Sequence, residues 1–124
     1  MAKILIADDE ASVLEVVSRA LALDEHIVVL AHDGEQAVMM ARAEHPELAL
    51  IDLFMPRKEG LETIMQLRKA YPELKIIAMS GGNPTHGMSF LEMATRLGAH
   101  RVLAKPFSIA DLRTAVADLL TEEA

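Results

Sequence analysis

The sequence predicts one compact α/β domain, built on a parallel sheet with helices on both of its faces. Five short apolar runs alternate with longer amphipathic stretches, which is the pattern of repeated β-α-β units. The runs are apolar throughout rather than at every second residue, as strands covered on both faces should be. A length of 124 residues predicts a single domain over residues 1–124, without room for a second folded domain.

The apolar runs give the predicted strands. Two of them are the clearest, because Ile4-Leu5-Ile6 lies in the first and Ile76-Ile77 lies in the fourth. The five predicted strands cover Lys3 to Ala7, His26 to Ala31, Leu48 to Ile51, Lys75 to Met79 and Arg101 to Ala104.

Apolar residues at helical spacing fill two of the stretches between strands. One set is Val13, Leu14, Val17 and Leu21, and the other is Phe90, Met93, Ala94 and Leu97. Residues three and four apart share one face of a helix, so each set predicts one buried stripe. Met65 and Met79 also fall within apolar patterns, and we expect both in the core.

Capping residues mark where helices begin and end. Asp33 with Gln36, and Ser108 with Asp111, resemble capping boxes, in which side chains satisfy the first free amides of a helix. Gly98 follows the fourth predicted helix, at the place where a left-handed residue would end it.

Composition excludes several classes of function. A formal net charge of −7 and an aromatic content of 3% argue against direct nucleic-acid binding, because phosphate is repelled and bases find no stacking platform. No apolar run approaches the roughly 20 residues that span a bilayer, so we expect no membrane insertion. The absence of Cys, and five His without a short ligand spacing, weigh against zinc.

Polar side chains collect where the predicted strands end. Asp8-Asp9-Glu10 follows the first strand, Asp52 the third, Ser80 the fourth and Lys105 the fifth. Each alone has an ordinary interpretation: acidic residues suit a helix N-terminus, a serine suits a turn and a lysine suits a solvated surface. In an open parallel sheet, however, ligands bind beyond the carboxyl ends of the strands, and these residues would meet there.

A cluster of carboxylates needs a cation or a proton. Two carboxylates about 4 Å apart repel by about 4 kcal/mol at an effective dielectric near 20. Ligands that are all oxygen point to magnesium or manganese. An Asp beside such a cation can act as a nucleophile toward a phosphoryl group, with Lys105 and Ser80 placed to hold its oxygens.

The chain resembles the receiver domain of two-component response regulators over essentially all of its length. The residues that carry the resemblance are Asp8-Asp9, Asp52, Met55-Pro56, Gly60, Ser80 and Lys105-Pro106-Phe107. It implies a doubly wound (βα)5 flavodoxin-like three-layer sandwich, with a five-stranded parallel sheet in the order 2-1-3-4-5. This order is known from a chemotaxis receiver, so here it is an expectation taken from the family.

The resemblance also implies roles for the residues at the strand ends. Asp52 would accept the phosphoryl group, and Mg²⁺ would be held by Asp9, Asp52 and the backbone carbonyl of Phe54, with Asp8 acting through a bound water. Lys105 would pair with the phosphoryl group and Asp52, and Ser80 would move toward a phosphoryl oxygen on activation. The Lys105-Pro106 bond is usually cis in this family.

Partners follow from the resemblance as well. The phosphoryl donor would be the phosphohistidine of a histidine kinase or of a histidine phosphotransfer protein. The chain would be a stand-alone cytoplasmic switch, not an enzyme beyond its own phosphoryl uptake and loss. Its downstream protein would bind helix 4, strand 5 and helix 5, a surface expected to include Arg96, Arg101 and Arg113.

Two departures from the family pattern stand out. Val102 lies where receivers commonly carry Tyr or Phe, so the usual aromatic signal of Ser or Thr movement cannot operate in its ordinary form. The segment after Ser80 is longer than usual and rich in glycine, which suggests that phosphorylation orders or shifts residues 81–87 and the start of the fourth helix. Phe54 and Gly82 lie where the family tunes phosphoryl hydrolysis, and no rate is predicted from them.

Individual residues bear on four alternative functions. A flavin carrier needs a phosphate-cradling loop after the first strand, where Asp8-Asp9-Glu10 stands instead. An aspartyl-phosphate phosphatase commonly has a second Asp two residues after its nucleophile, at the position of Phe54. An interaction module that no longer depends on phosphorylation fits Val102, and an intermediate phosphorelay carrier fits the site residues equally well.

Overall fold

A computed structural model describes residues 1–55, 59–80 and 92–121 of the chain. The strands are β1 (Lys3–Ala7), β2 (Ile27–Ala31), β3 (Leu48–Asp52), β4 (Lys75–Ser80) and β5 (Arg101–Ala104). The helices are α1 (Ala11–Leu23), α2 (Gly34–Glu44), α3 (Gly60–Ala70) and α5 (Ile109–Thr121), and residues 92–97 are the described part of α4. Strands and helices therefore alternate, as the sequence predicts.

The sheet has five parallel strands in the order β2-β1-β3-β4-β5, which confirms the predicted fold. Its order reverses between β1 and β3, because the chain passes from β1 to the edge strand β2 and then returns to the other side of β1. In sheets of this kind, the crevice beyond such a reversal is where ligands bind.

The sheet separates two hydrophobic clusters. On one face, buried residues of β1, β3 and β4 pack with α2, α3 and α4, including Ile64, Leu67 and Ala94. On the other face, the intervening residues of the same strands pack with α1 and α5, including Leu21 and Leu112. All five residues of β3 are buried, as expected for a strand covered on both faces.

Three strand boundaries differ from the prediction. β2 begins at Ile27 rather than His26, whose backbone N–H donates to the carbonyl of Leu21 and so still belongs to the turn after α1. β3 and β4 continue through Asp52 and Ser80, because the backbones of these polar residues remain in the ladder. The polar side chains at these exits are thus carried on strands, not on loops.

The predicted helix caps are found, with one difference in detail. The Asp33 carboxylate accepts from the N–H of Gln36 at 2.7 Å, and Gln36 Oε1 accepts from the N–H of His32 at 2.5 Å, one residue before the expected partner. Ser108 Oγ accepts from the N–H of Asp111 at 2.9 Å. Gly98 has a φ of +127°, the positive value expected where α4 ends.

Helical spacing overestimated the burial of two methionines. Leu14, Val17 and Leu21 are buried, and so is Met79. Met65 and Met93, however, are 51% and 47% exposed. Both lie beside the buried stripe of a helix whose inner positions are occupied by other residues, so the expectation that they belong to the core is wrong.

Several predictions fall outside the described residues. They concern Pro56, the segment 81–87, Gly82 and Phe90. No helix within the described ranges is long and apolar enough to cross a membrane.

Candidate functional site

The acidic side chains predicted at the strand ends meet in the structure. Asp8, Asp9 and Asp52 each offer a carboxylate oxygen, and these three oxygens lie within 4.8 Å of one another. They come together because β1 and β3 are parallel neighbours whose carboxyl ends reach the same edge of the sheet. We call this cluster the acidic trio.

Backbone hydrogen bonds fix two members of the trio. The N–H of Asp8 donates to the carbonyl of Ala31 at 3.1 Å, which ties the end of β1 to the end of β2. Asp52 pairs with Met79 in the β3–β4 ladder, and the next N–H, that of Leu53, donates to the Met79 carbonyl at 2.9 Å. Asp8 is fully buried and Asp52 is 3% exposed, whereas Asp9 is exposed. The sheet therefore fixes the positions of the Asp8 and Asp52 carboxyl groups.

Lys105 brings a positive charge to the trio from the far side of β4. Its N–H donates to the Ser80 carbonyl at 2.8 Å, and its bond to Pro106 is cis, as the resemblance implies. The Nζ atom lies 2.6 Å from Asp8 Oδ2, 3.6 Å from Asp52 Oδ2 and 3.7 Å from Glu10 Oε1. One ammonium therefore neutralises part of a larger negative charge.

The remaining imbalance shows in the protonation of Asp52. Burial, followed by repulsion from Asp8, raises the pKa of Asp52 to about 7, although Lys105 and the N–H of Phe54 act in the opposite direction. Burial alone would lower the pKa of Lys105, but its hydrogen bond to Asp8 and the charge of Asp52 outweigh burial and raise it. The positive charge near Asp52 is thus too small to offset burial and the repulsion from Asp8, while Lys105 stays protonated.

Ser80 supplies a neutral polar group next to this charge. It is 3% exposed, and its Oγ has no hydrogen-bond partner among the described residues. A buried hydroxyl without a partner costs about 1–3 kcal/mol. A buried group of this kind calls for a specific explanation, and a role in a functional site is one of those known.

Gly60 sets how closely α3 can approach the end of β3. A Cβ at this position would lie 2.2 Å from the Asp52 carbonyl oxygen and 2.4 Å from the Leu53 Cα. The N–H of Gly60 donates to the Leu53 carbonyl at 3.0 Å. Glycine is therefore required by the close approach of the backbone that carries Asp52.

The donors of the trio suit a hard divalent cation. All are carboxylate oxygens, two of the three residues are buried, and a cation there would relieve the repulsion that raises the pKa of Asp52. Within residues 1–55, 59–80 and 92–121, no other group of three potential ligands is found. The trio could hold a metal ion.

A groove beside the site was not predicted from the sequence. It has a volume of about 460 Å³ and opens between α1 and the segment after β5. Its apolar lining includes Val13, Val16, Val17 and Phe107, and Glu10 and Lys105 line it as well. We call it the α1 groove. The apolar spacing in α1 was visible in the sequence, but not that the β5–α5 segment would complete the groove.

The residues expected on the surface for a downstream protein differ in their contacts. Val102 is 38% exposed on the edge strand, and Arg96 is exposed. Arg101 lies 3.5 Å from Asp118, and Arg113 forms a two-point ion pair with Asp24 that joins α5 to the end of α1. Two of the three arginines are therefore engaged within the domain, by contacts far apart in sequence.

Comparison with known proteins agrees with this fold. A family model described as the response regulator receiver domain matches residues 4–117. Response regulator MprA of Mycobacterium ulcerans (strain Agy99) is 33% identical over 118 residues, which are 95% of this chain and 50% of that protein. The chain thus spans about half the length of the curated relatives it matches.

Solved structures agree as well. The receiver domain of NtrX from Brucella abortus has a TM-score of 0.90 and 26% identity, over 97% of this chain and 99% of that one. A CheY-like receiver domain protein from Methanospirillum hungatei JF-1 has a TM-score of 0.88 and 26% identity, over 97% and 94% of the two chains. The chain belongs to the response regulator receiver domain family.

Proposed function

We propose that this domain is a phosphorylation switch in which Asp52 accepts a phosphoryl group. One observation carries the proposal: a buried carboxylate lies within reach of two other carboxylates and 3.6 Å from a lysine ammonium, at the open edge of the sheet. A nucleophile, a candidate cation site and a fixed positive charge then converge on one point.

The resident cation is proposed to be Mg²⁺, with Mn²⁺ as a substitute. Asp9, Asp52 and the backbone carbonyl of Phe54 would be its protein ligands, and Asp8 would act through water. When bound, the cation would neutralise charge on the transferring phosphoryl group. The position of the acidic trio supports this assignment, while the part of the Phe54 carbonyl remains a prediction.

The chemical step is an exchange of one bond to phosphorus for another. A carboxylate oxygen of Asp52 attacks the phosphorus of a phosphohistidine and forms a P–O bond, while the P–N bond breaks and its electron pair stays on the imidazole. Lys105 would hold a phosphoryl oxygen, since its Nζ already lies close to Asp52. Ser80, whose hydroxyl has no hydrogen-bond partner within the described residues, would donate to another of the oxygens.

The donor is proposed to be a histidine kinase or a histidine phosphotransfer protein, docked on the α1 groove. Lys105 lines this groove and also lies beside Asp52, so a helix packed against the apolar lining would bring a phosphohistidine close to the site. The downstream protein would bind α4, β5 and α5. A cytoplasmic location, stand-alone operation and the absence of any other enzymatic activity stay predictions from the family resemblance.

Two further roles are open to the same fold. An interaction module independent of phosphorylation is favoured by one observation, the exposed Val102 in place of an aromatic residue. An intermediate phosphorelay carrier, which passes the phosphoryl group onward from Asp52, shares every site residue with the switch. Transfer of the phosphoryl group from Asp52 to the histidine of a second phosphotransfer protein would identify such a carrier.

Incubation with Mg²⁺ and acetyl phosphate, followed by intact mass measurement, tests the proposal. We expect one labile phosphoryl group on the wild-type domain, none on Asp52→Asn, and none after chelation with EDTA until Mg²⁺ or Mn²⁺ is restored. Asp33→Asn is the matched control, because Asn caps α2 as well as Asp does and the charge lost is outside the trio. A wild-type domain that stays unmodified, also with a phosphohistidine donor, would favour the interaction module.

A further inference from the structure

The charge of Lys105 is divided among three carboxylates, one of which lies outside the acidic trio. Glu10 Oε1 is 3.7 Å from Nζ, almost the same distance as Asp52 Oδ2 at 3.6 Å. The Glu10 and Asp52 side chains differ in environment, because they are 61% and 5% exposed. The lysine therefore forms ion pairs with both the buried Asp52 carboxylate and an exposed carboxylate.

The backbone holds Glu10 in this position. Its N–H donates to Asp8 Oδ1 at 2.9 Å, while Asp8 Oδ2 accepts from Lys105 at 2.6 Å. Asp8 thus connects the Glu10 backbone and the Lys105 ammonium through its two oxygens. The exposed Glu10 side chain also lines the α1 groove, where a docked donor can reach it.

We propose that Glu10 is a positioning residue for phosphoryl transfer: its carboxylate draws the Lys105 ammonium toward the α1 groove and so slows phosphoryl uptake by Asp52. This role of Glu10 rests on the proposed function. A cationic side chain of a docked donor would neutralise the charge of Glu10. Lys105 would then interact with Asp52 and the phosphoryl group without competition from Glu10. Small donors without such a cation would leave the restraint in place.

Replacing Glu10 by Gln imitates the neutralised state without any partner. With Mg²⁺ and acetyl phosphate at low salt, we expect Glu10→Gln to take up phosphoryl about two- to fivefold faster than wild type, which corresponds to an exposed ion pair. Glu10→Asp, whose carboxylate is set back, should fall between the two. The matched control is Glu15→Gln, an exposed α1 carboxylate that pairs with Arg19 and not with the site.

Two readouts separate a positioning role from a structural effect and from repulsion of the donor. At about 1 M salt the ratio of the Glu10→Gln and wild-type rates should approach one, since screening weakens an exposed pair, whereas a structural effect would persist. Phosphoramidate carries less negative charge than acetyl phosphate near neutral pH. The same ratio with both donors is expected if Lys105 is the cause, whereas repulsion of the donor by Glu10 would give a smaller ratio with phosphoramidate.

The outcomes distinguish this role of Glu10 from the proposed function. If wild type takes up phosphoryl and Glu10→Gln is no faster than Glu15→Gln, or if its gain follows donor charge, the positioning role is wrong and the proposed function stands. If wild type takes up none while its folding is intact by circular dichroism, the proposed function fails, and the role of Glu10 fails with it.

Discussion

The two ends of the sheet treat polar groups in opposite ways. At the carboxyl edge, the acidic trio shares one lysine and the Ser80 hydroxyl has no hydrogen-bond partner within the described residues. At the amino edge, the His26 imidazole accepts from the N–H of Ala2 at 3.1 Å, and Arg113 pairs with Asp24. The amino edge therefore stabilises the fold, while the carboxyl edge retains an unbalanced negative charge and a perturbed carboxyl pKa, which are typical of functional sites.

The largest expected effect tests whether the carboxyl edge depends on close backbone approach. We expect Gly60→Ala to lower the free energy of unfolding by about 3 kcal/mol, because the new Cβ would overlap the Asp52 and Leu53 backbone. Phosphoryl uptake should fall as well, since the strand end that carries Asp52 must shift. Urea denaturation and the acetyl phosphate assay measure the two effects.

Gly98→Ala is the counterpart at the amino edge. Its backbone has a positive φ and its Cβ would meet the Arg68 side chain, so it too should cost stability, by about 1–2 kcal/mol. Phosphoryl uptake should stay at the wild-type level. Equal losses of uptake in the two variants would show that global stability, not the approach of α3 to Asp52, controls the site.

The next effect concerns the unbalanced charge itself. The pKa of Asp52 is raised in the folded state to about 7, so its contribution to stability is fully present below the unfolded value of 3.8 and is lost as pH rises through 7. Without divalent cations, the stability of wild type relative to Asp52→Asn should therefore fall between pH 5 and pH 8. We expect a fall of about 1–2 kcal/mol.

Urea denaturation in EDTA at the two pH values measures this difference. Asp111→Asn, which removes an exposed carboxylate of α5, should show no comparable change. A difference between wild type and Asp52→Asn that does not change with pH would mean that Asp52 is ionised throughout the range. The carboxyl edge would then be balanced, and the contrast between the two edges would be lost.

The smallest effect tests the amino edge. We expect His26→Ala to lower the free energy of unfolding by about 1 kcal/mol, because the N–H of Ala2 loses its acceptor. His26→Asn, which offers a side-chain acceptor close to the position of Nδ1, should recover part of the loss. Phosphoryl uptake should be unaffected in both variants, and a reduced rate would connect the two edges.

The sequence was sufficient for the residues whose meeting follows from parallel strands. Asp8, Asp52, Ser80 and Lys105 come after apolar runs, and in a parallel sheet the ends of those runs share one edge. The strand boundaries were less certain, because a polar residue such as Asp52 ends the hydrophobic pattern while its backbone still pairs with Met79. The hydrophobic pattern of a sequence reflects which side chains are buried, whereas the hydrogen bonds between strands involve only the backbone.

Other features depend on contacts that no local pattern contains. Arg113 and Asp24 are 89 residues apart, and the two walls of the α1 groove come from opposite ends of the chain. The exposure of Met65 could not be read from apolar spacing, since a stripe does not specify which of its border positions faces the neighbouring element. The contact between Glu10 and Lys105 likewise could be found only by measuring the distance between their side chains in the structure.

The division of the core by the sheet has a consequence for redesign. The α1 groove lies on the face shared by α1 and α5, whereas Gly60 and the segment after Asp52 lie against the cluster of α2 and α3. Because the strands stand between them, apolar side chains of the groove can be exchanged without rebuilding the helices behind Asp52. The apolar wall of the groove can therefore be varied separately from the packing behind Asp52, whereas Glu10 and Lys105 belong to both the groove and the site.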